Sequence, residues 1–299
     1  MELKVAIISD AHTNNQKIIN QLVTRIKKEH VDAVILNGDL GENKTEIDFL
    51  MKATKRLNTI VFAQPGSHES IKDYKAAIKK NKHITDCSKK QKQTFKGYDL
   101  IFLPGSDWST PKGQYKIVAK RNDKREKGNK YYYISDLKKV VKNPPKTILF
   151  CHIPPLFKTK NAIDRATFGQ VTKTVPLNLL HIQYQLIQEM FRLGYFILEK
   201  GTVFPLQTAQ ILKELKYPVE IKNKNVGNKH VRQILQQVNI KFFVCGHIHE
   251  SAKKAHTFNE KKLKPNTWSK ELFLNAASIE DNNCSIIILN EDKIKYKNY

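Results

Sequence analysis

An α/β fold of four layers (α/β/β/α), with two mixed sheets face to face and helices outside them, is predicted by the succession of apolar runs along the chain. Three observations carry that prediction. The first third alternates apolar runs with stretches of helical spacing. From residue 94 short apolar runs follow one another across tight turns. Finally, apolar runs near both ends of the chain lead into turns that hold aspartate or histidine.

Residues 3–9 are an apolar run ending in a polar turn, which reads as a buried strand. Residues 15–28 set Ile18, Ile19, Leu22, Val23 and Ile26 at helical spacing. A strand over 31–36, a helix over 45–57, a strand over 59–63 and a helix over 69–80 complete a βαβαβα rhythm. That rhythm predicts a parallel sheet with helices on both faces. Residues 94–98, 100–103 and 115–119 read as strands, and 120–130, rich in lysine and arginine, as a solvated loop. Strands over 147–151 and 241–245 run into histidine motifs, and strands over 272–275, 284–289 and 293–296 close the chain. Between 155 and 240 the pattern is largely helical, over 177–198, 207–215 and 229–238. The last of these belongs with the core. Residues 158–225 are expected to form an inserted helical subdomain beside the active site, within one domain over 1–299.

The chain has 299 residues, 40% of them hydrophobic, ample for a buried core. No apolar run approaches the roughly 20 residues of a membrane span. The nearest, 177–198, is broken by His181, Gln183, Gln185, Gln188, Glu189 and Arg192. The first residues enter a strand pattern directly, with no signal-peptide pattern, so a cytoplasmic location is expected. Cys87, Cys151, Cys245 and Cys284 show no paired spacing and are expected as buried, reduced thiols. The 52 Lys and Arg against 28 Asp and Glu give a formal charge of +24. Such a field favours nucleic acid, nucleotides or an acidic membrane surface as partners. The lysines are scattered along the whole chain, so a lysine-rich proteome accounts for the charge equally well.

Five motifs place metal-ligand side chains in the turn after an apolar strand. They are Ser9-Asp10-Ala11-His12, Gly38-Asp39, Gly66-Ser67-His68-Glu69, Cys151-His152-Ile153-Pro154-Pro155 and Gly246-His247-Ile248-His249. Ligand sites in open α/β sheets form beyond the carboxyl ends of the strands, so five such turns converge on one place. Asp10 and His12 are two apart, which in extended backbone sends both side chains to one face, and His247 and His249 repeat that spacing. Carboxylate with imidazole suits Mn²⁺, Fe²⁺ or Zn²⁺ better than the all-oxygen ions Mg²⁺ and Ca²⁺. Each motif alone is weak; the ordered set of five is specific.

The set resembles the calcineurin-like metallophosphoesterase family, whose motifs run Asp-x-His, Gly-Asp, Gly-Asn-His-Asp/Glu, His and Gly-His-x-His. The resemblance covers Asp10 to His249, leaves out the insertion, and extends weakly to Asn275-Ala276-Ala277-Ser278. It implies a metallophosphatase-like sandwich and two divalent ions. One would be held by Asp10, His12 and His249, the other by His152 and His247, with Asp39 bridging both. A hydroxide shared by the ions would attack phosphorus in line. His68 would contact substrate and assist the leaving group as a general acid. Asn14 or Asn15 stands where the family often has Gly-Asn and receives no role. The departure is Ser67, where the family's asparagine holds the second ion; serine is shorter and a poorer neutral donor, so its place in the metal set is open.

Cys151 should face away from His152 and pack in the core. His30, His83, His181, His230 and His256 fall outside the motifs and read as surface or capping histidines. The turn Leu103-Pro104-Gly105-Ser106-Asp107-Trp108 suits a structural turn or a cleft wall. Basic residues over 112–130 beside Tyr131-Tyr132-Tyr133 suit a nucleic-acid strand, or a solvated loop followed by an amphipathic strand. The reading is a hydrolase of phosphate esters, a phosphodiesterase before a monoesterase, with nucleotides or nucleic acid favoured by charge. Its rivals are a nuclease of the same motifs and a scaffold subunit that has kept the fold without the chemistry.

Overall fold

The computed structural model describes residues 2–107, 113–123, 125–178, 184–192, 194, 196–276 and 284–299. They divide into two compact units, Met1–Asp164 with Val226–Tyr299, and Arg165–Asn225.

The strands begin with β1 Glu2–Ile8, β2 Ala33–Asn37, β3 Ile60–Gln64, β4 Ile84–Asp86, β5 Lys92–Phe95, β6 Tyr98–Leu103, β7 Tyr115–Val118, β8 Lys130–Tyr133 and β9 Thr147–Cys151. The smaller unit holds β10 Arg165–Val171, β11 Val175–Pro176, β12 Ile197–Leu198, β13 Val203–Pro205 and β14 Val219–Asn225. The larger unit resumes with β15 Phe242–Cys245, β16 Ala255–His256, β17 Leu272–Asn275, β18 Ser285–Asn290 and β19 Lys293–Asn298. The helices are α1 Gln16–Lys28, α2 Lys44–Thr54, α3 Ile71–Lys80, α4 Leu137–Val140, α5 Gln185–Arg192, α6 Leu206–Glu214 and α7 Lys229–Gln237.

Among the described residues of the larger unit, two six-stranded sheets form, β19-β18-β1-β2-β3-β4 and β16-β17-β15-β9-β6-β5. β1 to β4 are parallel, and so are β6, β9, β15 and β17; the remaining strands add to these sets antiparallel. Period-two alternation gives each strand two apolar faces. β1 sends Leu3, Val5 and Ile7 to one side, where they share a buried cluster with Phe102, Ile148, Phe150 and Val244 of the other sheet. Its Ala6 and Ile8 instead pack with Ile19, Leu22 and Ile26 of α1 and with Ile47 and Leu50 of α2. Outside the second sheet, Leu149, Cys151, Phe243 and Cys245 pack with Val231, Ile234 and Leu235 of α7. This is the four-layer α/β/β/α sandwich. Asparagine side chains start three of its helices: Asn15, Asn43 and Asn228 each accept two backbone N–H groups of the first turn.

Several elements differ from the sequence reading. β5 and β6 form a hairpin around Lys96 and Gly97, both at positive φ (+46° and +78°), so the strand expected over 94–98 is cut by a turn. β7 leaves the large sheet and pairs in parallel with β8, which takes up the end of the basic loop. The stretch expected to be helical carries a sheet: in the smaller unit β13, β10 and β14 pair antiparallel. β10 pairs with β14 along its whole length, from Arg165 opposite Asn225 to Val171 opposite Val219, and a Cβ on Gly169 would collide with Ala209 of α6. The helix expected over 177–198 is Gln185–Arg192, between β11 and β12, with residues 179–183 outside the described set.

Phe150 lies between the sheets, fully buried and stacked on Phe102 at 5.3 Å. Phe150→Ala is expected to lower unfolding stability by about 3–5 kcal/mol, read from the midpoint of chemical denaturation.

Candidate metal centre

The site is assembled by loops at the carboxyl ends of β1, β2, β3, β9 and β15. Backbone hydrogen bonds tie the loops together: Asp10 N–H donates to Gly38 O at 3.0 Å, Ala11 N–H to Asp39 O at 2.7 Å and Gly246 N–H to His152 O at 2.9 Å. Two glycines are steric requirements. Gly38 has φ +88°, and a Cβ there would stand 2.7 Å from Gly66 Cα and 2.8 Å from His152 Nδ1. A Cβ on Gly246 would run into Ser9 and the Asp10 carboxylate.

The extended backbone expected around Asp10 and His12 is not what forms. Asp10 (φ +56°), His12 (+36°), Asp39 (+53°) and His247 (+72°) all take the left-handed region, uncommon for residues with a Cβ. Each backbone reverses just after its strand, which turns the side chain over the sheet edge. The shared-face argument for His247 and His249 fails for the same reason: the two join different groups.

Ligand atoms of Asp10, His12 and His249 lie within 4.8 Å of one another, as do those of Asp39, His152 and His247. Asp39 Oδ2 faces both groups, 3.8 Å from His12 Nε2 and 2.9 Å from His152 Nε2. Asp10 Oδ1 lies 3.3 Å from His249 Nε2 and 3.9 Å from His152 Nε2. The outer nitrogens are held by neighbours. His152 Nδ1 donates to Asn37 O at 3.0 Å, and His12 Nδ1 pairs with Glu42 Oε1 at 2.7 Å, so both rings turn Nε2 inward.

The donor set fits divalent cations. His152 is fully buried, and its Nε2, although beside Asp39, makes no hydrogen bond of acceptable geometry. Burial opposes charge on His152, but Asp39 and Asp10 outweigh it and raise its pKa to about 10. Burial, then the His152 charge, pushes His247 down to about 4. Two buried carboxylates thus carry a cation between them even as a proton. Imidazole with carboxylate is the donor chemistry of Mn²⁺, Fe²⁺ and Zn²⁺.

Ser67 and His68 sit on the loop after β3. Ser67 Oγ donates to Asp39 Oδ2 at 2.7 Å, so its hydroxyl is engaged with the carboxylate. His68 is 45% exposed, with Nε2 3.9 Å from Asp39 Oδ2 and its ring 4.6 Å from that of His12. Its Nδ1 donates to Glu42 Oε2 at 2.8 Å, and that bond, against partial burial, raises its pKa to about 9. Glu42 itself is held near 2 by its bonds to His12 and His68. The sequence reading missed Glu42, and it assigned Glu69 no role although quoting it in the motif. The available signal for Glu42 was an acid three residues beyond Asp39 in the same turn.

Other singled-out residues fall in ordinary roles. Asn15 caps α1. Asn275 is buried and its amide donates to Ile163 O and Ile248 O, bracing the His247–His249 turn; Ala277 and Ser278 lie outside the described residues. His256, expected as a surface or capping histidine, is 1% exposed: Nδ1 donates to Thr257 O and Nε2 accepts from Ile163 N–H, so polar partners allow its burial. His30 is exposed, His83 and His230 are half-buried, and His181 lies outside the described residues. The four cysteines are free and buried. Asp107 accepts from Asn228 Nδ2, and Trp108 lies outside the described set. In the basic stretch, Arg121 pairs with Asp136 at 2.6 Å, and Arg121 and Arg125 lie over the Tyr133 ring; Lys112 and Lys124 lie outside the described residues. No helix among the described residues is long and apolar enough to cross a membrane.

The profile of a family described as calcineurin-like phosphoesterase matches residues 3–184. No curated protein matches the sequence. The fold is similar to that of TT1561 of Thermus thermophilus, with a TM-score of 0.56 and 9% identity, covering 100% of this chain and 99% of that one. A second solved structure matches with a TM-score of 0.57 and 12% identity, covering 99% of each chain.

Glu42→Gln is expected to bring the pKa of His68 in the metal-free protein from about 9 back toward the ordinary 6.5. Because the folded value is raised, the stability from this pair is complete below the unfolded pKa and disappears as pH rises through about 9. Histidine ring NMR titration of the two proteins measures the shift directly.

Proposed function

Because the chain belongs to the calcineurin-like phosphoesterase family, whose chemistry is metal-dependent hydrolysis of phosphate esters, we propose that this site hydrolyses phosphodiesters with two divalent ions. The observation that carries the reading is the pair of three-residue ligand groups, with Asp39 Oδ2 facing both. Asp10, His12 and His249 would hold one ion, and His152 and His247 the other, with Asp39 between them. Mn²⁺, Fe²⁺ and Zn²⁺ suit these donors. Such ions supply Lewis acidity to phosphoryl oxygens and lower the pKa of an attacking water.

The chain's own residues do the rest. His68, protonated at neutral pH by its bond to Glu42, presents Nε2 to the same space as Asp39 Oδ2 and can give its proton to a departing alkoxide. A general acid matters most where the leaving group is a poor one, as in an alkyl diester. Glu42 fixes the rings of both His12 and His68, which couples a metal ligand to the proton donor. The formal charge of +24 favours nucleotides or nucleic acid among diesters.

Hydrolysis of a generic aryl phosphodiester is expected to require added Mn²⁺ and to stop with a chelator. Asp39→Asn is expected to lower turnover by about 100-fold or more, and His68→Ala to do so on an alkyl diester, with a smaller loss on the aryl one. Unchanged turnover in both variants overturns the assignment. The same assay across phosphomonoesters, cyclic nucleotides and single- and double-stranded nucleic acid identifies the substrate class.

A further inference from the structure

Two loops meet at Asp39, the turn after β2 and the turn after β3, and each supplies an acid that accepts backbone N–H groups of the other, Glu69 also accepting one from its own turn. Asp39 Oδ1 accepts the N–H of Ser67 at 2.5 Å and of His68 at 3.0 Å, while Oδ2 accepts the Ser67 hydroxyl at 2.7 Å. In the opposite direction Glu69, fully buried, accepts Leu40 N–H through Oε1 at 2.5 Å, and within its own turn it accepts Gly66 N–H through Oε2 at 2.8 Å. Leu40 follows Asp39 directly, and Gly66 directly precedes Ser67. The four loop N–H donors are therefore shared out, two to each acid.

We propose that Glu69 is a positioning residue for the hydrolysis proposed above, on which this inference rests: its half of the reciprocal clasp holds the Asp39 carboxylate and the His68 ring at their working separation. Three observations support a role beyond filling space. Asp39 and Gly38 both stand at positive φ, so the turn after β2 depends on outside contacts to stay in place. His68 is anchored to Asp39 through its own N–H, so a shift of either loop changes the 3.9 Å between His68 Nε2 and Asp39 Oδ2. Only a carboxylate offers two acceptor oxygens to two N–H groups at once; a glutamine sets its own NH₂ against one of them.

Glu69→Gln is expected to bind Mn²⁺, supplied alone in calorimetric titration, about 10- to 100-fold more weakly than wild type. At saturating Mn²⁺ its kcat on the aryl phosphodiester is expected to fall about tenfold or more, with KM within about twofold. Ile287→Val trims the core between the sheets on β18, a strand that carries neither loop, and is expected to leave both readings unchanged. Ser67→Ala, which removes one donor to Asp39 and buries nothing new, is expected to weaken Mn²⁺ binding about tenfold. In the double variant the losses are expected not to multiply, because both act through the position of Asp39. Wild-type affinity and kcat in Glu69→Gln overturn the proposal, as do losses in the double variant that simply multiply. If Glu69→Gln does not fold, Ser67→Ala decides, and wild-type Mn²⁺ affinity in it overturns the clasp. A wild-type protein that neither binds Mn²⁺ nor cleaves the diester is a different result, and overturns the underlying assignment of the site.

Discussion

A carboxylate held charged in the interior is the constraint on which the rest of this site depends. Asp39 is 2% exposed, and burial alone would push its pKa up. It is instead held well below the ordinary value, because burial is outweighed by the charge and close approach of His152, with His68 and His247 adding to it. Its donors come from the loop after β3, and His152 comes from the end of β9 in the other sheet. Satisfying this one anion therefore fixes where loops from both sheets must stand. Asp10 repeats the logic on a smaller scale, accepting Ser9 Oγ at 2.6 Å and His247 N–H at 2.8 Å.

The same electrostatics separates two histidines of one ligand group. His152 and His247 have ring centroids 5.1 Å apart, yet one is driven to hold a proton and the other to shed it. His152 lies against both carboxylates, whereas burial and the neighbouring His152 charge dominate at His247. A proton on His152 and a metal ion compete for the same attraction, which is why a cluster built to draw cations also perturbs its own imidazoles. At the rim the sign reverses. Glu42 is half-exposed, and its two oxygens are shared between His12 and His68. One acid in solvent thereby orients two imidazoles, one mostly buried at His12 and one half-exposed at His68.

How much of this was legible in the sequence follows from the range of the physics. A strand that ends in Asp or His is a local pattern, so Asp10, Asp39, His152 and His247 could each be placed at the carboxyl end of a strand from order alone, though order did not show that two sheets supply them. The alternating apolar faces that make two sheets stack are local as well. Glu42 was not legible, because its meaning lies in two Nδ1 atoms that arrive from other loops. Nor was the crossing of donors between Asp39 and Glu69, which needs both turns in place at once. His256 illustrates the opposite error: residue type suggested a surface or capping histidine, but a carbonyl and an N–H satisfy both ring nitrogens in the interior. In the smaller unit β10 was not legible because its buried residues Ala166, Gly169 and Val171 do not alternate, and its glycine admits Ala209 of α6.

Backbone conformation was the least legible part, and it explains why the fold is so large around so small a site. Left-handed φ at Asp10, His12, Asp39 and His247 carries a cost on the order of 1–3 kcal/mol each, which local contacts of a loop do not offset alone. The offset comes from the layers beneath. Every one of these residues follows within four positions of a strand whose side chains are buried on both faces, and the loops are tied to one another by backbone bonds. Moving a single ligand back to relaxed backbone would break a loop-to-loop bond or push a side chain into a glycine's space at Gly38 or Gly246. The strained turns therefore persist together, held in the geometry that brings the two groups of donors to Asp39.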